Sequence, residues 1–428
     1  MPEPEANAAA PEGKRRGTTR REILAALGDL RNTVRYNVFA GRREICSDGR
    51  WQAWTDADDA AVRELLESNY GISSDAKVAD ALTILFEQRA VDPLVEMLDS
   101  LPPWDGVERI RRFFPQLVHC PDLPIYAEYA RMLFAGGVNR AYEPGCKFDE
   151  LLILADGPQG HQGGGKSTLV RMLNMNDEYW HTVDTIEGQA GMEALQMLWI
   201  GELAELAGLK TVKGQEQAKN FLSRTHDHYR EPYARYAQRR PRRCVLIGTS
   251  NDSQFLTDRT GNRRYLPVEC NLAEGEIDRR EDEARDLIAR CWQEAVTRYK
   301  RGDPYMTRCR MRPEYYSQSA ELQQGAMETD WREGMIRAYL DGQPVGYCTC
   351  VAEVYEHALH MSLADRPPDP KASREIGQLI RAVPGWEPES KSRRFSKYGV
   401  QKSYRKISGN TNTEPAEIRV DPPADLPF

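Results

Sequence analysis

The chain has 428 residues, 40% hydrophobic and 29% charged, with 58 Lys and Arg against 65 Asp and Glu for a net charge of −7. That length allows about three domains with real cores, and the acidic balance excludes a protein that coats nucleic acid by net charge alone. No run approaches the roughly 18 apolar residues of a membrane span, and of nine scattered cysteines the nearest pair, Cys348 and Cys350, has neither zinc-finger nor thioredoxin spacing. The expected location is a reducing cytoplasm.

Residues 1–21 are rich in Ala, Pro and Glu, then basic, without the apolar core of a secretory signal, and are expected to form a disordered leader. A mainly helical N-terminal domain is expected over 22–140. Its helices include Arg21–Leu30 and Asp58–Glu67 around the short segment Arg35-Tyr36-Asn37, with a hairpin or turn between Trp51 and Trp54. The cluster Pro102-Pro103-Trp104-Asp105-Gly106 is a breaker and a plausible boundary. Helices follow at Val107–Phe114 and Tyr126–Asn139, before the turn Pro144-Gly145-Cys146.

From Glu150 to about Cys270 apolar strands alternate with helices, which predicts βαβ units and a parallel sheet in a core domain over 141–305. The strand Leu151–Ala155 leads into Gly160-His161-Gln162-Gly163-Gly164-Gly165-Lys166-Ser167, and the helical pattern Thr168–Leu173 follows. This is the G-x-x-x-x-G-K-[ST] pattern in its proper strand–loop–helix setting. Glycines let successive N–H groups curl around phosphates, and the helix N-terminus adds partial positive charge. The candidate ATP-binding residues are Gly160, Gly163, Gly164, Gly165, Lys166, Ser167 and Thr168. Lys166 would reach the β- and γ-phosphates and the Ser167 hydroxyl would ligate Mg²⁺.

Hydrolysis also needs an acid near the phosphates. The apolar run Leu195–Ile200 leads to Glu202, with Glu205 three residues on, and either could instead be a solvated charge at a helix start. The run Cys244–Thr249 precedes Asn251, which could meet the γ-phosphate or merely form a turn. Arg263 and Arg264 stand before the strand Tyr265–Val268, as an arginine finger or as surface ion pairs. Between these strands lies a segment dense in Arg and Tyr, containing Arg230, Arg235, Arg239 and Arg240. Such a mixture suits a groove that tracks single-stranded nucleic acid, or else a charged loop over packed tyrosines.

A helix is expected over Asp278–Arg301 with Asp278 as N-cap, ended by Gly302-Asp303-Pro304. A C-terminal module over 306–408 carries helical patterns at Asp330–Leu340, Val351–His360 and Ser373–Ala382. Between Lys371 and Lys406 ten Lys and Arg face three Glu, a local net of +7. That suggests a winged-helix-like DNA-binding module using Arg393, Arg394 and Lys397, or a basic protein-binding surface. Residues 409–428 read as a disordered tail.

Together these residues resemble the virulence-associated protein E family of prophages and mobile genomic islands, itself similar to superfamily 3 helicases. The resemblance runs over roughly residues 30 to 270. It rests on Arg35-Tyr36-Asn37, Trp104-Asp105-Gly106, Pro144-Gly145-Cys146-Lys147-Phe148-Asp149, Gly157-Pro158-Gln159-Gly160, Gly165-Lys166-Ser167-Thr168, Glu202-Leu203-Ala204-Glu205-Leu206, Lys219 to Arg224, Asp227 with Tyr229-Arg230 and Pro232-Tyr233, Gly248-Thr249-Ser250-Asn251, and Gly261-Asn262-Arg263-Arg264. It implies an α/β P-loop NTPase core, AAA+-like, with Lys166 and Ser167 in Walker A, Glu202 in Walker B and Asn251 as sensor. Lys219 and Arg230 would contact DNA, and Arg263 or Arg264 would act on ATP held by a neighbouring subunit. The implied protein is an ATP- and Mg²⁺-dependent DNA helicase or translocase, a ring-forming homo-oligomer, commonly a hexamer in the family pattern, replicating a phage or mobile element with a separate primase or initiator. A DNA-binding regulator switched by ATP, in excision, interference or defence, is the alternative, and a small-molecule kinase a more distant one. The loop here is three residues longer than the family's, so the insertion either loops outward or the cradle is rebuilt from Gly163 and Gly164.

Overall fold

The computed structural model describes residues 19–206, 212–229, 237–256, 262–327 and 331–408. They form two compact units divided between Met327 and Glu328, each mixing helices and strands. The leader and tail expected from sequence lie outside the described residues, except that the first helix already begins at Arg20.

The first unit opens with α1 (Arg20–Ala26), held by a capping box between Thr19 and Glu22. Strands β1 (Val34–Asn37), β2 (Arg42–Ser47), β3 (Arg50–Ala53) and β4 (Ala90–Val91) form a sheet in the order β3-β2-β1-β4. Asp48 and Gly49 join β2 to β3, both at positive φ, the backbone a two-residue hairpin needs to match strand twist. Helices α2 (Asp56–Tyr70) and α3 (Asp75–Gln88) bury Leu66, Leu82, Leu85 and Phe86 with Val34 of β1. Helices make up most of the span 22–140, as expected, but the chain also forms a four-stranded sheet where the sequence suggested only a hairpin or turn. Its Arg35 and Asn37 are structural: both bind the buried Glu44 carboxylate, at 2.8 and 2.9 Å.

Helices α4 (Pro93–Asp99), α5 (Phe113–Val118) and α6 (Pro124–Tyr142) merge into the main core, so no boundary falls near 140. Phe113, Phe134 and Trp292 share one buried cluster with Leu152, Leu154 and Ile247 of the central sheet. That sheet contains β5 (Leu151–Asp156), followed by α7 (Lys166–Met172) and α8 (Gly188–Glu193), and β6 (Ile200–Leu203), followed by α9 (Val212–Leu222). The antiparallel hairpin of β7 (His226–Tyr229) and β8 (Gln238–Pro241) precedes β9 (Val245–Ser250) and β10 (Tyr265–Cys270). The four sheet strands are parallel in the order β10-β5-β9-β6, so their carboxyl ends share one edge. Their nearly unbroken burial is what a sheet covered on both faces requires.

Two expected elements are corrected. The apolar stretch Leu195–Trp199 is a turn, half-buried at Leu195 and Met197 and buried at Leu198 and Trp199, with Met197 at φ 55°, so β6 starts at Ile200 and contains Glu202. Apolar runs report burial, which turns and strands share when tertiary packing covers both. The expected single helix is α10 (Glu276–Arg279) and α11 (Glu281–Lys300), broken at Arg280; Asp278 lies inside α10, and left-handed Gly275 precedes it. Helices α12 (Pro304–Thr307) and α13 (Tyr316–Gly325), placed by sequence at or beyond the start of the C-terminal module, pack on the first unit. There Gln323 donates to the Tyr265 carbonyl at 2.9 Å and Tyr129 to the Ser319 hydroxyl at 2.9 Å.

The second unit runs α14 (Trp331–Asp341), β11 (Cys348–Cys350), α15 (Val351–His357), α16 (Pro370–Ala382), β12 (Trp386–Pro388), the hairpin β13 (Arg393–Phe395) and β14 (Gly399–Gln401), and β15 (Ser403–Lys406). β15 is the central strand, antiparallel to β11 and β12. Ile336, Val354, Ile376, Ile380, Trp386 and Tyr404 form its core. No helix among the described residues is long and apolar enough to cross a membrane.

Candidate nucleotide site and basic surfaces

The glycine loop occupies residues 157–165, between the end of β5 and the start of α7. Gly163 and Gly165 have φ of 80° and 101°, conformations that a Cβ penalises. Close packing explains two more glycines. A Cβ on Gly160 would sit 2.3 Å from the Cys270 carbonyl oxygen, and one on Gly164 would sit 2.7 Å from Leu272 Cβ. The Gly157 N–H donates to the Cys270 carbonyl and the His161 N–H to the Leu272 carbonyl, both at 2.9 Å.

The longer loop therefore does not bulge away. Its first half is laced to the chain leaving β10, and the Gly160 and Gly164 amides are engaged inside the loop, on the Gly157 and His161 carbonyls. Gly160 and Gly164 are thus held by close packing, with their amides engaged within the loop. The first i−4 bond of α7 runs from Leu169 to Gly165, which leaves the Lys166, Ser167 and Thr168 amides without intrahelical acceptors. Those amides, at the positive end of the helix, are the donors an anion would meet.

Six side chains converge at this edge of the sheet. Lys166 Nζ is buried, 2.5 Å from Asp156 Oδ1 and 3.2 Å from Asn251 Oδ1. The Ser167 hydroxyl donates to Glu202 Oε1 at 2.5 Å, and the Thr249 hydroxyl donates to the same oxygen at 2.8 Å. Glu202 is 2% exposed, and among the described residues it meets hydroxyls and no cation. A buried carboxylate so placed favours an added positive charge. No group of three or more His, Cys, Asp and Glu able to hold a metal occurs among the described residues. A cation here would take Glu202 and Ser167 from the chain and fill its shell with phosphate oxygens and water, as Mg²⁺ does. Asp156 and Thr249 were not among the sequence candidates. Asp156 had a signal: an acid closing an apolar strand directly before the glycine loop. Glu205 lies on the short turn Ala204–Leu206 after β6, and its side chain is outside the described set.

Arg263 and Arg264 stand at the opposite edge. They precede β10, whose first residue Tyr265 pairs with Leu151, the first residue of β5. Six strand residues separate them from the loop, about 20 Å at roughly 3.3 Å per residue. Within one chain neither joins the Lys166 group. Arg263 is exposed, whereas Arg264 lies 3.2 Å from Asp149 Oδ2 and donates to the Ser223 hydroxyl at 3.2 Å.

In the basic segment, Arg242 is structural. It makes two 2.8 Å bonds to buried Asp227, locking the base of the β7–β8 hairpin. Arg243 is paired with Asp92 at 2.6 Å. Arg239 is exposed on β8, Arg240 packs against Gly41, and Lys219 lies on α9. Arg230 and Arg235 lie outside the described residues.

In the second unit Arg393 and Arg394 are exposed on β13. Lys397 pairs with Glu356 at 2.7 Å, and with the Tyr398 hydroxyl it holds that carboxyl below its usual range. The helix expected over Ser373–Ala382 is α16, which buries Ile376, Leu379 and Ile380; sequence reasoning did not single out the stripe Lys371, Arg374, Gln378 and Arg381 that it exposes. The signal was present: spacings of three and four place those residues along one helical stripe.

Residues 98–328, more than half of the chain, match the family model of the virulence-associated protein E-like domain. No curated protein matches the chain. Among solved structures, the apo structure of the NrS-1 C-terminal region (305–718) is similar at a TM-score of 0.51 and 12% identity, covering 92% of this chain and 100% of that chain. The A form apo structure of the same region gives a TM-score of 0.49 at 12% identity, covering 91% and 100%. At such identity the likeness is one of fold.

Proposed function

This chain belongs to the virulence-associated protein E-like family, and from that membership and the converging side chains we propose that it is an ATP-hydrolysing motor. Its core is a P-loop NTPase of superfamily 3 helicase type, acting on DNA in the replication of a phage or mobile element. The observation that carries this reading is the meeting of Lys166, Ser167, Glu202 and Asn251 at the carboxyl edge of a parallel sheet, where ligands of open α/β sheets bind.

Each residue has a role that follows from its contacts. The Lys166 ammonium, oriented by Asp156 and Asn251, turns to the β- and γ-phosphates. The amides of Lys166, Ser167 and Thr168 receive phosphate oxygens at the helix start. Glu202, fixed by Thr249, accepts a proton from the attacking water or holds the cation with Ser167. Mg²⁺ bound at Ser167 and Glu202 supplies charge neutralisation on the phosphates. Asn251 presents its amide to the γ-phosphate. Arg239 and Arg240 on the hairpin, and the α16 stripe with β13 of a winged-helix-like unit, supply cations for DNA phosphates. Opposite edges for cradle and arginines favour a ring in which each subunit completes its neighbour's site.

Glu202→Gln tests the reading without removing bulk. ATP turnover should fall about 10²-fold or more while nucleotide binding persists. Turnover at the wild-type rate would falsify the assignment. The second unit, with its basic stretch between Lys371 and Lys406, also suits an ATP-switched DNA-binding regulator. DNA-stimulated hydrolysis with strand displacement favours the motor, and binding without displacement on any substrate favours the regulator.

A further inference from the structure

Two of the nine cysteines, Cys146 and Cys309, line one cavity of about 780 Å³ beside the chain that enters β5. Cys146 is half-buried in the turn between α6 and β5. Cys309 is buried in the segment after α12, between the exposed Arg308 and Arg310. Cys146 packs against the core cluster to which Cys309 belongs. The Cys309 thiol donates to the Ala135 carbonyl at 3.7 Å and is a hydrogen-bond partner of the Cys146 sulfur. The cavity reaches solvent at the exposed Tyr305 and Tyr316.

Both backbones are held. The Cys146 N–H donates to the Glu143 carbonyl and the Gly145 N–H to the Arg242 carbonyl, each at 2.9 Å. Arg131, paired with the fully buried Glu128 at 2.7 Å, donates to the carbonyls on either side of Cys309, Arg310 at 2.7 Å and Arg308 at 3.3 Å. Arg140 supplies a charge. It is 1% exposed and donates to the Phe148 and Arg242 carbonyls at 2.9 and 3.0 Å. Among the described residues it has no ion-pair partner, and its Nε has no acceptor. A buried guanidinium without a carboxylate favours a nearby anion, which a Cys146 thiolate supplies. The Cys309 contact lowers the Cys146 thiol most, burial opposes it, Arg140 lowers it further and Glu143 works against that, leaving Cys146 below its ordinary value. The same contact, then burial, pushes the Cys309 thiol up. One sulfur is therefore the nucleophile and the other keeps its proton. By contrast, burial pushes the Cys120, Cys244, Cys270 and Cys291 thiols up, which makes them inert.

We propose that Cys146 and Cys309 form a reversible redox site: a peroxide admitted through this cavity oxidises the pair to a disulfide, and a small dithiol restores it. The Cys146 thiolate attacks one peroxide oxygen, the O–O bond breaks, and hydroxide leaves a Cys146 sulfenic acid. The Cys309 sulfur then attacks the Cys146 sulfur. The S–S bond forms, and the sulfenic oxygen departs as water with the Cys309 proton. One peroxide is reduced to two waters as two thiols become one disulfide. Reduction returns both thiols and leaves the added dithiol as its own disulfide. Disulfides of reducing compartments are of this transient kind. The bond closes a loop that contains all four strands of the central sheet, which removes conformations from the unfolded chain and raises resistance to unfolding. None of these steps depends on ATP hydrolysis.

The test exposes the full chain to hydrogen peroxide, blocks the remaining thiols by alkylation and maps the peptides by mass spectrometry. A peptide linking Cys146 to Cys309 should appear in the wild-type chain, two of the nine thiols should become unavailable, and dithiothreitol should return them. Before reduction the thermal midpoint should rise by about 5 °C. Cys309→Ser should stop at the Cys146 sulfenic acid, trapped as the adduct of a 1,3-dione, whereas Cys146→Ser should leave Cys309 unmodified. Nine free thiols after peroxide, or a bond joining any other pair such as Cys348 and Cys350, overturns the proposal. So does a cross-link found only between chains on a non-reducing gel, or a 1,3-dione adduct on Cys309 in place of Cys146.

Discussion

The two edges of the central sheet carry similar chemistry in opposite states. At the carboxyl edge every charged or hydroxyl group has a neighbour: Lys166 with Asp156 and Asn251, and Glu202 with Ser167 and Thr249, most of them buried. At the amino edge Arg263 and Arg310 stand exposed, while Arg264 and Lys147 are tied to Asp149. Groups ordered in advance lose little on receiving a ligand, which is how a site stabilises developing charge without reorganising. Groups left free keep their capacity for something that arrives from outside the chain. The difference separates a cradle that one chain completes from a contact that it only offers.

The largest expected effect that sharpens this contrast is on stability. Lys166→Ala strands the buried Asp156 carboxylate and should lower stability by about 3–5 kcal/mol, while Arg263→Ala should leave it nearly unchanged. Lys166→Met with Asp156→Leu should recover most of the loss in denaturant unfolding without recovering turnover. Equal midpoints for Lys166→Ala and wild type would break the picture of an internally satisfied cradle. Next in size is Gly165→Ala, which forces a Cβ into φ 101° and to 2.6 Å from Ile277 Cβ. About 1–3 kcal/mol is expected from strain and overpacking, read as a lower thermal midpoint together with weaker nucleotide binding.

Thr249→Val removes one donor from the buried Glu202 carboxylate and should cost about 1–3 kcal/mol, with reduced turnover. Unchanged turnover would show that Thr249 does not orient Glu202. The smallest effect is at the amino edge and depends on pH. Burial, then Asp149, raises the Glu150 pKa in the fold, so folding favours the protonated form. Stability from this group is present below the ordinary carboxylate range and is lost as pH rises through the raised value. Glu150→Gln should therefore be more stable than wild type at neutral pH, with the gap closing below about pH 4. A gap that widened on acidification would reverse the sign and remove the cause.

Much of the sheet was legible because parallel strands buried on both faces read as apolar runs, as in Leu151–Ala155 and Cys244–Thr249. The run Leu195–Trp199 misled for the same reason, since burial alone does not distinguish a turn from a strand. The N-terminal sheet was harder, because its exposed third strand, Arg50–Ala53, carries no alternation and its turn signal is a single Asp-Gly pair. In the site, motif spacing found Lys166, Ser167, Glu202 and Asn251. It missed Asp156 and Thr249, which act on other side chains; Asp156 carried a signal as the acid closing an apolar strand before the glycine loop. Among the arginines, Arg242 and Arg263 look alike as letters, yet one is buried on Asp227 and the other exposed.

By itself the sequence determined the chemistry available: a glycine loop before a lysine and a serine, acids and amides after apolar runs, and arginines ahead of the last core strand. Local backbone needs and hydrophobic runs are written in neighbouring residues, so they can be read in order. Only the tertiary structure decided which groups meet. Lys166 finds Asn251 across 85 positions because β5 and β9 pair side by side, and Arg263 is kept from the loop because β10 runs parallel to β5 from the far edge. Strand order and direction come from packing the whole core at once, and that cooperative choice has no local signature in the chain.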